Sequence, residues 1–304
     1  EKDTILFETY TQISMIIDRF FVTSGFMNEI AIYFPMFLLI EIPVQFLMMY
    51  GVLKYWFRET WREPKDMNYY PDVSCIITFY GEGEASSKSI NSLTYQYYPG
   101  KIEILAIIDG AQQNKDTYNS VLSTIQKVKD EANRDIKVIP KWKRGGKVSS
   151  LNSGLEKASH DIVMSLDGET SFDNDMVYQV TRHFNNKNVV AVSGNLRIRN
   201  GWESVTTAMQ SIEYMIAITL GKTGLNEFRV VNNISGAFGV FRKKVIKHIG
   251  GWENGAAEDL DITMRMKNYF RRHPEMKIVF DPKATGHTDG PVGFWELIKQ
   301  RERW

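Results

Sequence analysis

The apolar and polar positions divide the chain into two parts. A long apolar run, interrupted only by Glu41 and Gln45, extends from Ile30 to Leu53. From Asp72 onward, short β-type runs alternate with amphipathic helical segments. The predicted strands are VSCIITF, IEILAII, IKVI, IVMSL and VVAVS, and the predicted helices are ASSKSINSLTYQ, TYNSVLSTIQKVKDEAN, KVSSLNSGLEKAS and NDMVYQVTRHFN. This alternation predicts an α/β fold in which helices cover both faces of a mostly parallel sheet.

Beyond Gly201 the strand–helix alternation ends. The pattern there predicts a long helix over Glu203–Leu220, a strand rich in glycine and serine over Ile234–Phe241, and a helix over Asp259–Tyr269. The sequence closes with an amphipathic helix, GFWELIKQRERW. We expect these elements to complete a site begun by the first half.

The run from Ile30 to Leu53 is long enough to span a bilayer. It lies too far into the sequence for a signal peptide and lacks a basic n-region and a small-residue cleavage site. A buried helix of a soluble domain is the alternative. Basic residues follow the run at positions 54, 58, 62 and 65, so the positive-inside rule predicts that everything after Leu53 is cytoplasmic, at the plasma (inner) membrane.

These patterns predict three segments. They are an N-terminal membrane segment over residues 1–57 with a transmembrane helix at about 30–53, a linker over residues 58–71, and a cytoplasmic α/β domain over residues 72–304. The closing amphipathic helix of that domain is expected to lie at the membrane surface.

Composition narrows the possible functions. The 304 residues carry a formal net charge of +1, which argues against nucleic acid as the main partner. The single cysteine, Cys75, excludes an intrachain disulfide and lies in an apolar strand, where a small core residue is expected rather than a nucleophile.

The central candidate site is IVMSLDGET, in which a strand-like run leads directly into Asp167 and Glu169. Side chains two residues apart on an extended segment point the same way, so both carboxylates can converge at the carboxyl end of a strand. Open α/β sheets bind ligands at that edge. Two hard oxygen ligands there suit Mg²⁺ or Mn²⁺ carrying phosphates. The alternative is an acidic turn that merely ends the strand.

Other candidates for nucleotide binding follow neighbouring strands. FYGEGEAS lacks the third glycine of a dinucleotide fingerprint, and RGGKVSS lacks the glycine spacing of a P-loop. There remain a loop after the first strand with Thr78, Tyr80 and Glu82, an acid, Asp109, that ends the second strand, and Lys147 at a helix start. An acid at a strand end can bind a ribose or a base edge, and a lysine can neutralise a diphosphate.

Two further clusters carry chemistry. GGWENGAAEDLD places Glu258 and Asp259 after a glycine-rich loop, where one of two adjacent acids can act as a base; helix capping is the alternative. The closing helix carries Gln300, Arg303 and Trp304, of which the arginine can bind a phosphate and the indole can stack on a sugar ring. A membrane-surface helix is the alternative there.

In this order, Asp109, Asp167-Gly-Glu169, Glu258-Asp259 and Gln300-x-x-Arg303-Trp304 resemble the D, DxD, ED and QxxRW series of processive family 2 glycosyltransferases. That family includes the cellulose, hyaluronan, chitin and poly-N-acetylglucosamine synthases. The resemblance extends from about Val73 to Trp304, and segments such as SGNLRIRN and NNISGAFGVFRK are most similar to the bacterial poly-N-acetylglucosamine branch. It implies an A-type nucleotide-sugar fold beside a membrane channel, with transfer that inverts the anomeric centre.

The resemblance also implies a role for each matching residue. Asp109 would hold the uridine, Asp167 and Glu169 would bind the diphosphate through Mg²⁺ or Mn²⁺, and Asp259 would be the base. The remaining residues would line the donor pocket (Ser235 and Gly236) or hold the diphosphate and the acceptor's terminal sugar (Gln300, Arg303 and Trp304).

The partners implied are a UDP-sugar donor (UDP-GlcNAc favoured, UDP-glucose next), a growing polysaccharide and the lipid bilayer. One predicted span cannot enclose a polysaccharide path, so accessory subunits, self-association or further membrane segments are expected. The sequence departs from the family pattern at Glu169 (an aspartate in the family), at Ala257 (a threonine) and in HTDGPVGF. A membrane transferase that adds a single sugar, and a non-catalytic nucleotide-sugar-binding subunit, remain alternatives.

Overall fold

The computed structural model describes residues 11–12, 15, 37–61, 68–128, 131–253 and 257–302. The chain divides into two units between Tyr50 and Gly51. A π-helical turn, Phe37–Glu41, precedes helix α1 (Ile42–Trp61), which extends from the first unit into the second. Among the described residues, no helix is both long enough and apolar enough to cross a membrane. Residues 30–36 of the predicted span lie outside the described residues.

The second unit contains the alternating elements. Its strands are β1 (Val73–Phe79), β2 (Ile102–Ile108), β3 (Arg134–Pro140), β4 (Ile162–Asp167), β5 (Ser171–Phe172), β6 (Val189–Ile198), β7 (Phe238–Arg242) and β8 (Lys277–Thr288). Its helices are α2 (Ser86–Thr94), α3 (Lys115–Val128), α4 (Gly146–Lys157), α5 (Met176–Thr181), α6 (Val205–Tyr214), α7 (Gly221–Glu227), α8 (Lys243–His248), α9 (Glu258–Phe270) and α10 (Phe294–Arg301). A π-helical segment, Met215–Leu220, joins α6 to α7.

Within the described residues, the strands form one eight-stranded sheet in the order β3-β2-β1-β4-β7-β6-β8-β5. The first four strands of that order run parallel to one another. Strand β7 runs antiparallel to both β4 and β6, β8 runs parallel to β6, and β5 runs antiparallel to β8. The sheet is therefore mixed. The predicted parallel pairing is confirmed for the first four strands and also holds between β6 and β8, whereas β7 and β5 are antiparallel to their neighbours.

Two apolar clusters lie on opposite faces of this sheet, as the alternation of side chains along a strand requires. Cys75, Ile77 and Phe79 of β1 belong to one cluster, and Ile76 belongs to the other. Cys75 is fully buried, as expected for a small core residue.

Candidate functional site

Three neighbouring parallel strands end at the same edge of the sheet. Thr78 of β1 pairs with Asp167 of β4, and Phe79 pairs with Ile108 of β2. Asp109 follows directly and donates its backbone N–H to the Phe79 carbonyl at 2.9 Å. A cavity of about 390 Å³, which we call the first cavity, opens at this edge. It is lined by most of the candidates from the first half of the chain and by one from the closing helix: Thr78, Tyr80, Glu82, Asp109, Lys147, Asp167, Glu169 and Gln300.

Asp109 fixes the entry to α4. Its Oδ1 accepts hydrogen bonds from Lys141 Nζ at 3.0 Å and Gly145 N at 2.9 Å, and its Oδ2 accepts one from Gly146 N at 2.8 Å. Burial raises the pKa of Asp109, but these donors outweigh burial and hold the pKa below its usual value. Gly146 has φ of 80°, which favours glycine. The turn sets the direction in which the next residue, Lys147, enters the site.

Lys147 links two carboxylates that come from distant parts of the sequence. Its Nζ lies 2.9 Å from Asp167 Oδ1 and 3.1 Å from Glu258 Oε1. Burial lowers the pKa of Lys147, but the attraction of the two carboxylates dominates and raises it above its usual value. The Lys147 ammonium therefore lies between the end of β4 and the start of α9, where it neutralises charge on both carboxylates.

The carboxylates of Asp167 and Glu169 could hold a divalent cation, because hard oxygen ligands suit Mg²⁺ or Mn²⁺. Burial, and after it the negative charges of Asp167 and Asp289, raise the pKa of Glu169. Thr288 Oγ1 lies 3.5 Å from Glu169 Oε1, at the limit of a hydrogen bond. No group of three or more acidic, histidine or cysteine side chains able to hold a metal occurs in the described part of the chain. Two carboxylates alone would leave most coordination positions to phosphate and water.

The loop after β1 provides an acceptor and an aromatic ring. Glu82 Oε2 is buried and has no hydrogen-bond partner among the described residues. Burial raises the pKa of Glu82 to about 7. The Arg144 guanidinium lies 4.1 Å from the centre of the Tyr80 ring. Because Glu82 Oε2 lacks a donor, this end of the first cavity suits a ligand that presents an N–H group.

A second cavity, of about 500 Å³, shares Lys147 and Asp167 with the first. Its other charged and polar lining residues are Glu213, Tyr214, Lys222, Asn232, Asn233, Ser235, Glu258, Asp259 and Arg301. Asp259 Oδ1 accepts the Leu260 N–H at 2.8 Å, and Asp259 Oδ2 lies 3.5 Å from Asn233 Nδ2. The second cavity therefore carries the predicted base on the far side of Lys147.

Gly236 lies where the two cavities meet. A Cβ atom at this position would lie 3.1 Å from Glu258 Oε1 and 3.4 Å from both Asp259 Cβ and Lys147 Nζ. A larger side chain would therefore displace the group that links the cavities. Ser235, the neighbouring candidate, lines the second cavity and donates its backbone N–H to Ser193 Oγ at 3.2 Å.

The closing helix contacts both cavities through consecutive residues. Gln300 lines the first cavity, and Arg301 lines the second. Arg301 Nη2 lies 2.5 Å from Glu213 Oε2 of α6, so this pair joins two helices at the second cavity. Arg303 and Trp304, the other predicted residues of this helix, lie outside the described residues.

The structure thus brings together every predicted site residue that it describes. It also adds residues that the sequence did not single out: Arg144, Asn232, Asn233, Lys222 and Arg301. For Lys222 a signal was present, because it is the first charge after the apolar run MIAITLG. The asparagines carry no such signal, since polar residues in a loop are ordinary.

Comparisons with known proteins identify the family and the fold of the chain. The family model described as glycosyltransferase like family 2 matches residues 71–304. A poly-beta-1,6-N-acetyl-D-glucosamine synthase of Staphylococcus epidermidis is 31% identical over 235 residues, covering 76% of this chain and 53% of that relative. The synthase of the same name from Staphylococcus aureus (strain COL) is 31% identical over 233 residues, with the same two coverages. The chain thus spans about half the length of these relatives.

A solved structure shares the fold. The mannosyltransferase PcManGT from Pyrobaculum calidifontis, in complex with GDP-Man and Mn²⁺, superposes with a TM-score of 0.59 at 18% identity. The match covers 86% of this chain and 71% of that one. The chain therefore has the expected A-type α/β fold, with a mixed sheet.

Proposed function

Because the chain belongs to glycosyltransferase family 2, we propose that it is an inverting, metal-dependent glycosyltransferase that extends a β-linked polysaccharide from a UDP-sugar. The observation that carries this proposal is the meeting of two cavities at Lys147 and Asp167, with Asp259 in the second cavity. A donor in the first cavity and an acceptor in the second would face each other across these residues. UDP-GlcNAc is the favoured donor because the relatives at 31% identity are named as poly-N-acetylglucosamine synthases.

On the donor side, the base of the nucleotide lies beside Glu82 and Tyr80. Uracil presents one N–H donor at its pairing edge, and the orphan Glu82 Oε2 is the buried acceptor that such a donor would satisfy. Asp109 holds the turn that carries Lys147 and borders the uridine. Lys147 and Gln300 reach the diphosphate, and Arg303 and Trp304 would extend this contact to the acceptor's terminal sugar.

Transfer requires a departing diphosphate, a base and an aligned acceptor. A Mg²⁺ or Mn²⁺ ion held by Asp167 and Glu169 would neutralise charge on the diphosphate. The acceptor hydroxyl oxygen bonds to C1 of the donor sugar as the bond from C1 to the phosphate oxygen breaks, and UDP leaves. Asp259 takes the hydroxyl proton, and Glu258 stays paired with Lys147. A single displacement of this kind inverts C1 and needs no protein nucleophile.

Contact with the cytoplasmic side of the plasma (inner) membrane is part of the proposal, and exposed apolar side chains support it. Val205, Met209, Ile212 and Ile216 recur at helical spacing and are all exposed. Trp295 of α10 is also exposed, as are the apolar residues Leu39, Phe46, Met49, Trp56, Phe57 and Trp61 in and before α1. Apolar faces of this extent suit a lipid surface. Accessory subunits or further membrane segments would complete a path for the polymer.

The test supplies membranes containing the protein with one UDP-sugar at a time and analyses the product by mass spectrometry. We expect a ladder of N-acetylhexosamine units with UDP-GlcNAc, and no ladder with membranes containing the Asp259→Asn variant. An acceptor extended by only one sugar would show that the protein is a single-sugar transferase and not a polymerase. UDP binding without any sugar transfer would show that the protein is a non-catalytic nucleotide-sugar-binding subunit.

A further inference from the structure

Lys222 is a buried amine in the wall of the second cavity. It lies on α7, and only 6% of the residue is exposed. Its Nζ donates a hydrogen bond to the Asn233 carbonyl at 3.2 Å. Among the described residues, no carboxylate lies within ion-pair distance of this nitrogen. A lysine in such a position is unusual, because an ammonium has three donors and loses its hydration on burial.

This burial is unfavourable for the folded state. It lowers the pKa of Lys222 to about 8, and the charge of Asp259 offsets part of that effect. An apolar side chain of similar length would fill the same space without the desolvation penalty. A residue that reduces stability at the border of an active site is a candidate for a functional role.

Lys222 reaches the base by two routes. Its hydrogen bond holds the Asn233 carbonyl, and the Asn233 side chain lies 3.5 Å from Asp259 Oδ2. Its charge also acts directly, because the ammonium of Lys222 and the carboxylate of Asp259 attract each other across the cavity. The other charged or titratable groups that line this cavity are Lys147 of α4, Asp167 of β4, Glu213 and Tyr214 of α6, Glu258 of α9 and Arg301 of α10.

Helix α7 holds Lys222 on a fixed support. Asn226 Oδ1 accepts the Phe280 N–H of β8 at 2.9 Å. Glu227 is nearly fully buried and accepts a hydrogen bond from Arg58 Nη1 at 2.6 Å. Contacts at the far end of the helix therefore tie it to the sheet and to α1, and a side chain on it is positioned with little freedom.

We propose that Lys222 is a positioning residue for sugar transfer: its ammonium holds the Asn233 segment beneath Asp259 and attracts the carboxylate that accepts the acceptor's proton. This role rests on the proposed function, in which Asp259 is the base. Lys222 itself touches neither the leaving diphosphate nor the reacting oxygen.

The test measures turnover against pH, UDP affinity and thermal stability for the wild type and for Lys222→Met and Lys222→Arg. For Lys222→Met we expect kcat to fall roughly 10- to 100-fold, less than the loss on removing a group that touches the transition state. UDP affinity and thermal stability should not fall. Wild-type kcat should decline as pH rises through about 8, where the ammonium loses its proton. Lys222→Met should lack this alkaline decline, because methionine does not titrate.

Lys222→Arg keeps the charge and does not titrate, so it should recover part of kcat and also lack the alkaline decline. Thr223→Val is the matched control, since Thr223 is buried on the same helix and lines neither cavity. The positioning role of Lys222 is overturned if the pH dependence of kcat in Lys222→Met has the wild-type shape. It is also overturned if the loss of kcat is accompanied by an equal loss of thermal stability or of UDP affinity. Either result leaves the proposed function intact. A wild-type protein that transfers no sugar overturns the proposed function instead.

Discussion

Replacing Lys147 by methionine should make the Asp167–Glu169 site bind Mn²⁺ more tightly in the absence of nucleotide. The ammonium lies 2.9 Å from Asp167 and 3.1 Å from Glu258, so in the absence of nucleotide it competes with a metal ion for Asp167. At these distances each pair is worth roughly 5 kcal/mol in Coulomb energy at an effective dielectric constant of about 20. The three side chains are 34%, 27% and 18% exposed, so water screens much of this attraction.

After screening and desolvation, we take about 1–2 kcal/mol as the net free energy of the contact with Asp167. Removing the competing ammonium should therefore tighten Mn²⁺ binding without nucleotide by roughly 5- to 30-fold, since 1.4 kcal/mol corresponds to a factor of ten. With UDP present the expected change is opposite, because the diphosphate loses the lysine that would neutralise it. The dependence of Mn²⁺ affinity on UDP should thus largely disappear in Lys147→Met.

Electron paramagnetic resonance of free Mn²⁺, titrated with and without UDP at fixed pH, measures both quantities. Lys143→Met is the matched control, because Lys143 is exposed in the loop that precedes α4 and its loss changes the net charge equally. If Mn²⁺ affinity without UDP is unchanged or weaker in Lys147→Met, or if Lys143→Met behaves in the same way, the competition between lysine and metal is refuted.

Four other substitutions test separate parts of the site and fold. Asp259→Asn should lower kcat by roughly 10²–10⁴-fold, as expected for loss of a general base, while UDP affinity by calorimetry stays nearly constant; a parallel collapse of affinity would make Asp259 a binding residue. Asp167→Asn should abolish transfer and metal-dependent UDP binding, and full activity in excess chelator would contradict the metal site. Wild-type UDP affinity should weaken as pH falls below about 7 because Glu82 becomes protonated, whereas Glu82→Gln should bind UDP weakly at every pH; equal profiles would remove Glu82 from base recognition. Burial raises the pKa of Glu103, but hydrogen bonds from Lys137, Ser74 and Ser159 outweigh it and lower the pKa from 4.5 to about 2. Its stabilising effect is therefore complete above about pH 4.5 and lost as pH falls toward 2. Thermal melts should show a smaller acid-induced loss for Glu103→Gln than for the wild type, and identical losses would contradict this assignment.

The sequence predicts the first four strands well because each is a short apolar run bounded by polar residues. Asp167 and Glu169 could be predicted with them, since their position follows from the end of one strand. Strand β8 (Lys277–Thr288) could not, because its run is interrupted by Asp281, Pro282 and Lys283. The register with β6 moves from Gly194–Asp281 to Asn195–Thr285, so the intervening residues bulge out of the ladder. Because of this bulge, apolar and polar residues do not alternate regularly along β8, and the sequence pattern does not reveal the strand.

The pairing of Lys147 with Glu258 is beyond sequence reasoning for a different reason. Each residue lies near the start of a helix, and both were predicted as site residues, but whether they meet depends on how α4 and α9 are placed relative to each other in the folded domain. Lys222 shows the same limit. Its position after an apolar run identifies an unusual residue, whereas its proximity to Asp259 arises only from the tertiary fold.

The consecutive residues Gln300 and Arg301 have a thermodynamic consequence. One helix of eight residues borders both cavities, so any shift of α10 on filling one cavity changes the other. Linkage then requires the effect to be reciprocal: if the donor strengthens acceptor binding by some factor, the acceptor strengthens donor binding by the same factor. Helix α10 would thereby act as a coupling element between the two substrates, and a donor bound without an acceptor would be held less firmly than in the complete complex.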